Sequence, residues 1–199
     1  MDSNITNPNV SALKNITVGQ NCTSNLKLFS KSSNRPIVAL SSFPGSGNTW
    51  ARHLLHMASG YWSGNSRDIP STNHLVRAGW PAETIDCWSR ETVVQKTHKW
   101  HGDSNNRCNF EKSIIIMRNP FDALMSDFKL SQGSKTSEPE PSVFEGDGFP
   151  NYIQKKAQGW YTLHYNWINS HSNIDLLWTC FDRFVGTVRM IIFELHLLV

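Results

Sequence analysis

The chain lacks long hydrophobic runs. None of its 199 residues lie in a stretch that reaches the ~18 consecutive apolar residues of a transmembrane helix, and the N-terminus shows no apolar core flanked by basic residues, as a signal peptide would. The most apolar segment, residues 188–199, is short and contains Arg189, Glu194 and His196. Charge of one sign is also scarce, because the net charge is only +3. We therefore expect no membrane-embedded protein, no anchor within this chain and no nucleic-acid partner, whereas an anionic small molecule could bind at a local site.

Cysteine is scarce as well. The four cysteines form no C-x-x-C pair, which excludes a zinc ribbon and a thioredoxin-like motif, and we expect no metal site. Cys87 and Cys108 bracket one loop-rich stretch and could form a disulfide. Two free buried thiols would fit the sequence equally well, so the pairing stays open at this point.

The first 35 residues differ in composition from the rest. Asn, Ser and Thr make up 16 of them, which is typical of a disordered segment. We predict a disordered stem over 1–35 and a folded domain over 36–199, where most of the 8 Trp, 10 Phe and 4 Tyr lie. The stem contains all four Asn-x-Ser/Thr sequons, at Asn4, Asn9, Asn15 and Asn21. These either arise by chance from the composition or indicate a glycosylated luminal stem.

The pattern of the domain is that of an α/β protein. Four short apolar runs predict strands, at residues 37–40, 92–97, 113–117 and 174–179. Helical spacing follows over residues 50–58, from Asn119-Pro120 onward, and over 152–168. Residues 59–91 read as irregular and 131–150 as a mobile loop. Strands that alternate with helices predict a parallel sheet with right-handed crossovers.

A loop of small residues separates the first strand from the first helix. It runs Phe43-Pro-Gly-Ser-Gly-Asn-Thr-Trp50, and such a loop lets backbone N–H groups converge on a phosphate at a helix N-terminus. The Lys-Ser/Thr pair of a Walker motif is absent, and no apolar strand ends in an Asp that could hold magnesium. A kinase or NTPase is therefore disfavoured.

Two further groups of side chains follow predicted strands. Arg118 comes directly after the third strand, and Ser126 lies eight residues later on the next helix. Lys96 and His98 lie at the end of the second strand. Carboxyl ends of parallel strands face the crevice in which α/β sheets bind ligands. A guanidinium there can bind phosphate, and His is a suitable general base near neutral pH.

These motifs, in this order, resemble the sulfotransferase family, which transfers a sulfuryl group from 3′-phosphoadenosine-5′-phosphosulfate (PAPS). The loop resembles the 5′-phosphosulfate loop [TS]-[YF]-P-K-S-G-T-T-W, and residues 118–126 match R-N-P-x-D-x-x-x-S. Lys96-Thr-His98 matches K-T-H, and residues 160–167 approximate the W-x-x-H-x-x-x-W helix. The resemblance covers residues 36–185. The loop variant resembles the sulfotransferase region of WSC-domain-containing proteins, Golgi-type enzymes linked to sulfation of sialic acid.

The resemblance implies a role for each matching residue. Backbone amides of the loop would bind the 5′-phosphosulfate, Trp50 would stack on adenine, and Arg118 with Ser126 would bind the 3′-phosphate. His98 would take the proton from the acceptor hydroxyl, and Lys96 would stabilise the sulfuryl group during transfer. The implied cofactor site comprises Gly45, Ser46, Gly47, Asn48, Thr49, Trp50, Arg118 and Ser126. The implied fold is α/β, a P-loop-like three-layer fold with a central parallel sheet.

Three departures from the family pattern stand out. Gly45 occupies the position of the loop lysine that assists the leaving phosphate, for which Arg52 and Lys99 are candidate substitutes. Phe181 replaces a Tyr near the adenine. The family's basic, glycine-rich segment after the fourth strand is missing, so we expect a fold that is C-terminally truncated and a domain that is incomplete at its C-terminus.

The sequence therefore predicts a PAPS-dependent sulfotransferase that acts on an acceptor hydroxyl of a glycan, for which a sialylated glycan is a candidate. The alternative is a catalytically silent relative that binds a nucleotide or a glycan. Arg67, Arg77 and Arg90 could favour an anionic acceptor, although solvated surface charge explains each equally simply. The expected location is the Golgi lumen or membrane if a signal anchor is missing from this chain, and the cytoplasm otherwise.

Overall fold

The computed structural model describes residues 26–31, 34–67, 74–100, 103–104, 107–133, 139–170 and 175–181. The four predicted sequons, most of the predicted stem and the apolar segment 188–199 lie outside these residues. The predictions about them therefore stay predictions.

A parallel sheet forms the centre of the domain. Its strands are β1 (Val38–Ser42), β2 (Gly64–Asn65), β3 (Gln95–Thr97), β4 (Lys112–Met117) and β5 (Asp175–Cys180), in the order β2-β3-β1-β4-β5. All pairings are parallel, and β1 lies between β3 and β4, with Ser41 opposite both Thr97 and Ile115. The predicted α/β class with a parallel sheet is confirmed. The carboxyl ends of β1, β3 and β4 consequently meet at one edge.

Within the described residues, four helices lie between the strands. They are α1 (Asn48–Ser59), α2 (His74–Arg77), α3 (Pro120–Ser131) and α4 (Gly148–Asn169). Helix α3 begins as predicted, because the Asn119 side chain accepts a hydrogen bond from Phe121 N and Pro120 occupies the first turn. No helix in the described part of the chain combines the length and apolar character needed to cross a bilayer.

The strand side chains alternate between two buried faces. One face packs against Ala51 and Leu55 of α1, and the other packs against Leu163 and Trp167 of α4. The first face comprises Val38, Leu40, Ile114 and Ile116 together with Val93 and Val94 from the segment before β3, and the second comprises Ala39 and Ile115 together with Ile37 before β1. Helices therefore cover both faces of the sheet, which is why β1 and β4 read as continuous apolar runs rather than as alternating ones.

The connecting segments contain more structure than the sequence predicted. Short 3₁₀ turns form at Pro81–Thr84, Cys87–Ser89 and Pro141–Phe144. The last lies in the segment predicted as a mobile loop, and helix α4 already begins at Gly148. This segment is structured because it packs on α3. The rings of Phe144 and Phe149 lie against the ring of Phe128, with centroid distances of 5.4 and 5.0 Å.

The described end of the predicted stem lies against the domain. Lys27 forms a parallel bridge with Tyr61, and Phe29 stacks on the Tyr61 ring at a centroid distance of 3.7 Å. The guanidinium of Arg35 lies 3.5 Å from the centroid of Phe29. Residues 26–31 thus pack against the side of the domain that contains α1.

Cys87 and Cys108 form a disulfide, which decides the alternative that the sequence left open. The two cysteines are 21 positions apart in the sequence. Both belong to the core cluster on the face that packs against α4. Chain entropy predicts that a cross-link of this span stabilises the fold by about 2–4 kcal/mol.

We expect Cys87→Ser, Cys108→Ser and the double variant each to lose about 2–4 kcal/mol of unfolding free energy, because each opens the same loop. Urea unfolding measures this loss. Cys180→Ser is the matched control, since Cys180 is an exposed free thiol. The expectation is wrong if reduction of the wild-type protein leaves its urea midpoint unchanged.

Candidate functional site

A cavity of about 360 Å³ lies at the carboxyl edge of β1, β3 and β4. Three segments that are distant in sequence line it: the glycine-rich loop with the start of α1, the end of β3, and the end of β4 with α3. The lining residues are Pro44, Gly45, Gly47, Asn48, Thr49, Trp50, Lys96, His98, Arg118, Ser126 and Leu130. The structure therefore brings together every residue of the predicted site except Ser46.

Ser46 does not line this cavity. Its side chain is buried, and its backbone N–H donates to Phe43 O at 3.1 Å, which closes the loop on itself. The Asn48 side chain holds the loop against β1, because its Nδ2 donates to Leu40 O and to Ser42 Oγ. The amides available to an anion are those in the first turn of α1, where the helix leaves its N–H groups without intrahelical partners.

The structure explains why position 45 has no lysine. Gly45 has a φ of 78°, in the left-handed region that favours glycine. A Cβ atom there would overlap Ala123 O and lie 2.8 Å from Asp127 N, so the loop touches the backbone of α3. The absence of a lysine at position 45 is thus part of the packing between the loop and α3, and any cation that faces a ligand beside the loop must come from another segment.

Arg118 connects the end of β4 to the loop. Its Nη1 donates to Gly45 O at 2.8 Å, and its guanidinium lies 4.9 Å from the centroid of Phe181. Because a guanidinium has five N–H donors, this bond leaves others for a ligand in the cavity. Phe181 also packs on Gly47 and lies 5.4 Å from the Trp50 ring between centroids. Two aromatic rings and a guanidinium therefore form one wall beside the loop.

His98 is held in one tautomer. Its Nδ1 lies 2.7 Å from Ser42 O, and a carbonyl only accepts, so Nδ1 carries the proton and Nε2 keeps a free lone pair. Burial, followed by the positive charge of Lys96, lowers the pKa of His98 to about 3, although the bond to Ser42 O acts in the opposite direction. The imidazole is consequently neutral at physiological pH and can accept a proton through Nε2.

Helix α4 fixes the segment that follows His98. Trp167 is fully buried, and its indole N–H donates to Lys99 O at 2.9 Å. Lys99 N in turn donates to Thr97 Oγ1 at 3.1 Å. The helix that resembled the W-x-x-H-x-x-x-W motif therefore acts as a support for the end of β3 rather than as part of the cavity wall.

A second cavity, of about 160 Å³, lies on the other side of Lys96 and His98. These two residues line both cavities, so a group bound in either one would reach them. The other lining residues are Asn65, Arg67, His74, Leu75, Glu83 and Thr97. An arrangement of two cavities with a shared imidazole and ammonium suits the transfer of a group between two bound molecules.

A buried ion pair forms part of this second wall. Arg52 and Glu83, with side chains 0% and 1% exposed, pair through Nη2 and Oε1, and Asn65 Nδ2 donates to Glu83 Oε2 at 3.2 Å. Arg52 Nε also donates to Ser63 Oγ at 2.7 Å. Arg52 is therefore not in position to substitute for the loop lysine, because it lines neither cavity and its guanidinium is buried in the pair with Glu83.

Lys99 is engaged as well. Its Nζ lies 3.3 Å from Asp103 Oδ2, and Lys99 does not line either of the two cavities. Both candidates that the sequence offered for the missing loop cation are thus occupied elsewhere.

His56 next to this pair makes the fold sensitive to acid. It is fully buried, its Nε2 accepts from Ser63 N at 3.0 Å, and burial, followed by the charge of Arg52, lowers its pKa to about 3. Between pH 6.5 and about 3, His56 is protonated in the unfolded chain but neutral in the folded chain. The free energy of unfolding therefore falls as pH falls. The shift corresponds to about 2 kcal/mol lost between neutral pH and pH 5.

We expect the difference in unfolding free energy between pH 7 and pH 5 to be about 2 kcal/mol smaller in His56→Gln than in the wild type. Urea unfolding at both pH values gives this difference, which is independent of the cost of the substitution itself. His53→Gln, at an exposed position on α1, should behave like the wild type. An unchanged difference in His56→Gln would contradict the assigned role.

Glu83 and the second cavity were not foreseen from the sequence. Glu83 lies in a short 3₁₀ turn between segments without periodicity, and nothing in its neighbourhood distinguishes it from a surface carboxylate. Arg67 offered a weak signal, as one of three arginines noted in this region. Of these, Arg77 is exposed on α2 and Arg90 pairs with Glu111 at 2.8 Å, whereas Arg67 lines the cavity.

Comparison with known proteins supports a relationship to one group. No family model matches the chain. It is 30% identical over 161 residues to WSCD family member GA21586 of Drosophila pseudoobscura pseudoobscura, which covers 79% of this chain and 45% of that protein. It is 29% identical to WSCD family member CG9164 of Drosophila melanogaster, over 79% of this chain and 44% of the relative.

A mosquito protein gives a similar result. WSCD family member AAEL009094 of Aedes aegypti is 29% identical over 170 residues, which is 81% of this chain and 51% of the relative. The chain thus spans about half the length of the curated relatives it matches. Over most of its own length, it is similar to proteins named as WSCD family members.

Proposed function

We propose that this chain is a PAPS-dependent sulfotransferase that transfers a sulfuryl group to an acceptor hydroxyl of a glycan. The single observation that carries the proposal is that the glycine-rich loop, Lys96 with His98, and Arg118 with Ser126 line one cavity although they come from three separate segments. Its volume of about 360 Å³ lies within the usual range for small-molecule sites. We propose the finer fold class, a P-loop-like three-layer fold, on the same grounds.

The residues of the cavity fit a doubly phosphorylated adenosine. Amides at the start of α1, together with the Thr49 hydroxyl, would bind the 5′-phosphosulfate. Arg118 and Ser126 would bind the 3′-phosphate, and the adenine would lie against Trp50, whose side chain is 40% exposed. When bound, PAPS supplies the activated sulfuryl group.

The chain's own residues would then orient the reactants and move one proton. His98 accepts the proton of the acceptor hydroxyl through Nε2, while Ser42 O holds the opposite nitrogen. Lys96 stabilises negative charge on the sulfuryl group during an in-line displacement. A bound anion beside Lys96 would offset its charge and raise the pKa of His98 toward neutrality, which would make the imidazole a stronger base in the complex than in the free protein.

The Cys87–Cys108 disulfide supports a luminal location for the domain, since disulfides persist in oxidising compartments. We therefore propose the Golgi lumen or membrane as the location of the domain. A sialylated glycan is the proposed acceptor class, because the second cavity carries Arg67 and Lys96 on its wall.

The test is a transfer assay with sulfur-labelled PAPS and a sialylated serum glycoprotein, with the same glycoprotein after removal of sialic acid as the matched acceptor. We expect label on the sialylated form, and no transfer of phosphate from labelled ATP. Absence of label on every acceptor, combined with binding of adenosine 3′,5′-bisphosphate, would overturn the transferase proposal in favour of a silent relative. Gly45, which leaves the loop without a cation, is the observation that favours this second candidate.

A further inference from the structure

The site needs a cation that the loop does not supply. Position 45 cannot carry a side chain while the loop touches α3, because a Cβ atom would overlap Ala123 O. Arg52 is buried in its pair with Glu83, and Lys99 is paired with Asp103. Charge that develops on the sulfuryl oxygens and on the leaving phosphate would therefore face Lys96 and whichever other cation reaches the same point.

Arg67 is an exposed residue that lies in the second cavity, on the other side of Lys96 and His98. It follows β2 directly and lines the 160 Å³ cavity together with Lys96 and His98. Its backbone is fixed there, because Arg67 N donates to Asn65 Oδ1 at 3.2 Å and the preceding Ser66 N donates to Lys96 O at 3.0 Å. Because Asn65 pairs with Lys96 in the parallel sheet, Arg67 lies level with His98 in the register, and its charge, like that of Arg52, makes a minor contribution to the lowered pKa of the imidazole.

The carboxylate on the same wall does not neutralise Arg67. Glu83 is the acidic residue among those that line the 160 Å³ cavity, and both of its oxygens are engaged, Oε1 by Arg52 and Oε2 by Asn65. Within the described residues, no ion pair involves Arg67. The carboxylate that lines this cavity is thus committed to Arg52 and Asn65 rather than to Arg67.

We propose that Arg67 is the second cationic ligand of the sulfuryl group during transfer and replaces the cation that the glycine-rich loop lacks. This inference rests on the proposed function. The bond between sulfur and the bridging phosphate oxygen breaks and its electron pair leaves with adenosine 3′,5′-bisphosphate, while a bond forms between sulfur and the acceptor oxygen. The acceptor proton passes to Nε2 of His98, and no oxidant or reductant takes part. The guanidinium of Arg67 and the ammonium of Lys96 bind the sulfuryl oxygens from the acceptor side.

The first test does not depend on the acceptor. Inorganic sulfate serves as the probe for the sulfuryl position, and its binding is measured by calorimetry with the full chain saturated with adenosine 3′,5′-bisphosphate. We expect Arg67→Gln to weaken sulfate binding about 10-fold, which corresponds to about 1.4 kcal/mol, and to leave the affinity for the bisphosphate unchanged. Arg67→Lys should retain most of the sulfate affinity. Arg77→Gln, on α2 and outside the lining of both cavities, is the matched control.

The second test separates catalysis from acceptor binding. With labelled PAPS and the acceptor that the wild type modifies, Arg67→Gln should lower kcat by about 10²–10³-fold with little change in the acceptor KM. A rise in acceptor KM at unchanged kcat, or sulfate binding equal to that of the wild type, would overturn the role of Arg67. Failure of the wild type to bind adenosine 3′,5′-bisphosphate would instead refute the proposed function, so the two failures are distinguishable.

Discussion

Glu83→Ala is expected to lower the free energy of unfolding by about 3–5 kcal/mol. The substitution leaves the Arg52 guanidinium fully buried without its carboxylate, and it also removes the acceptor of Asn65 Nδ2. An uncompensated buried charge costs much more than an exposed one, because no water solvates it. The loss is measured by urea unfolding at neutral pH.

Two companion variants sharpen this result. Glu111→Ala removes a carboxylate that is 44% exposed, pairs with Arg90 and accepts from Ile37 N at 3.3 Å, and it should cost about 1–2 kcal/mol. The double variant Arg52→Met/Glu83→Leu removes both charges and should recover much of the loss of Glu83→Ala. If Glu83→Ala costs no more than Glu111→Ala, the buried pair does not carry the stability assigned to it.

His98→Ala is expected to reduce sulfuryl transfer by about 10²–10⁴-fold, the usual contribution of a general base. The substitution removes Nε2 but leaves the loop and Arg118 in place, so binding of adenosine 3′,5′-bisphosphate should persist. The measurement is the rate of label transfer from PAPS together with the dissociation constant of the bisphosphate.

The control for this variant is His53→Ala, which removes an exposed imidazole from α1 and should transfer at the wild-type rate. Loss of bisphosphate binding in His98→Ala would indicate a structural role through the bond to Ser42 O. Transfer at the wild-type rate in His98→Ala would remove His98 as the base.

The sequence predicted the parts of the molecule that depend on local pattern. The buried strands β1 and β4 were visible as apolar runs, and the start of α3 was visible from the Asn119-Pro120 cap. It also placed Lys96, His98 and Arg118 at strand ends, and parallel pairing then requires these ends to meet at one edge.

What the sequence could not predict depends on contacts between distant segments. Strand β2 has only two residues and no periodicity, and its position next to β3 places Arg67 beside His98. From the sequence alone, Gly45 indicates only that the loop has lost a lysine. The structure shows that position 45 packs so closely on α3 that no side chain fits there. The engagement of Arg52 likewise follows from Glu83, 31 positions away.

The most direct test of a nucleotide site between the loop and Arg118 is calorimetry of the full chain with adenosine 3′,5′-bisphosphate. Two comparisons accompany it: the same ligand with Arg118→Ala, and adenosine 5′-monophosphate with the wild type. We expect the wild type to bind the bisphosphate, and we expect loss of either the guanidinium or the 3′-phosphate to weaken binding about 10–100-fold, the value of a charge-assisted hydrogen bond. No binding by the wild type, or equal affinity in Arg118→Ala, would contradict the assignment.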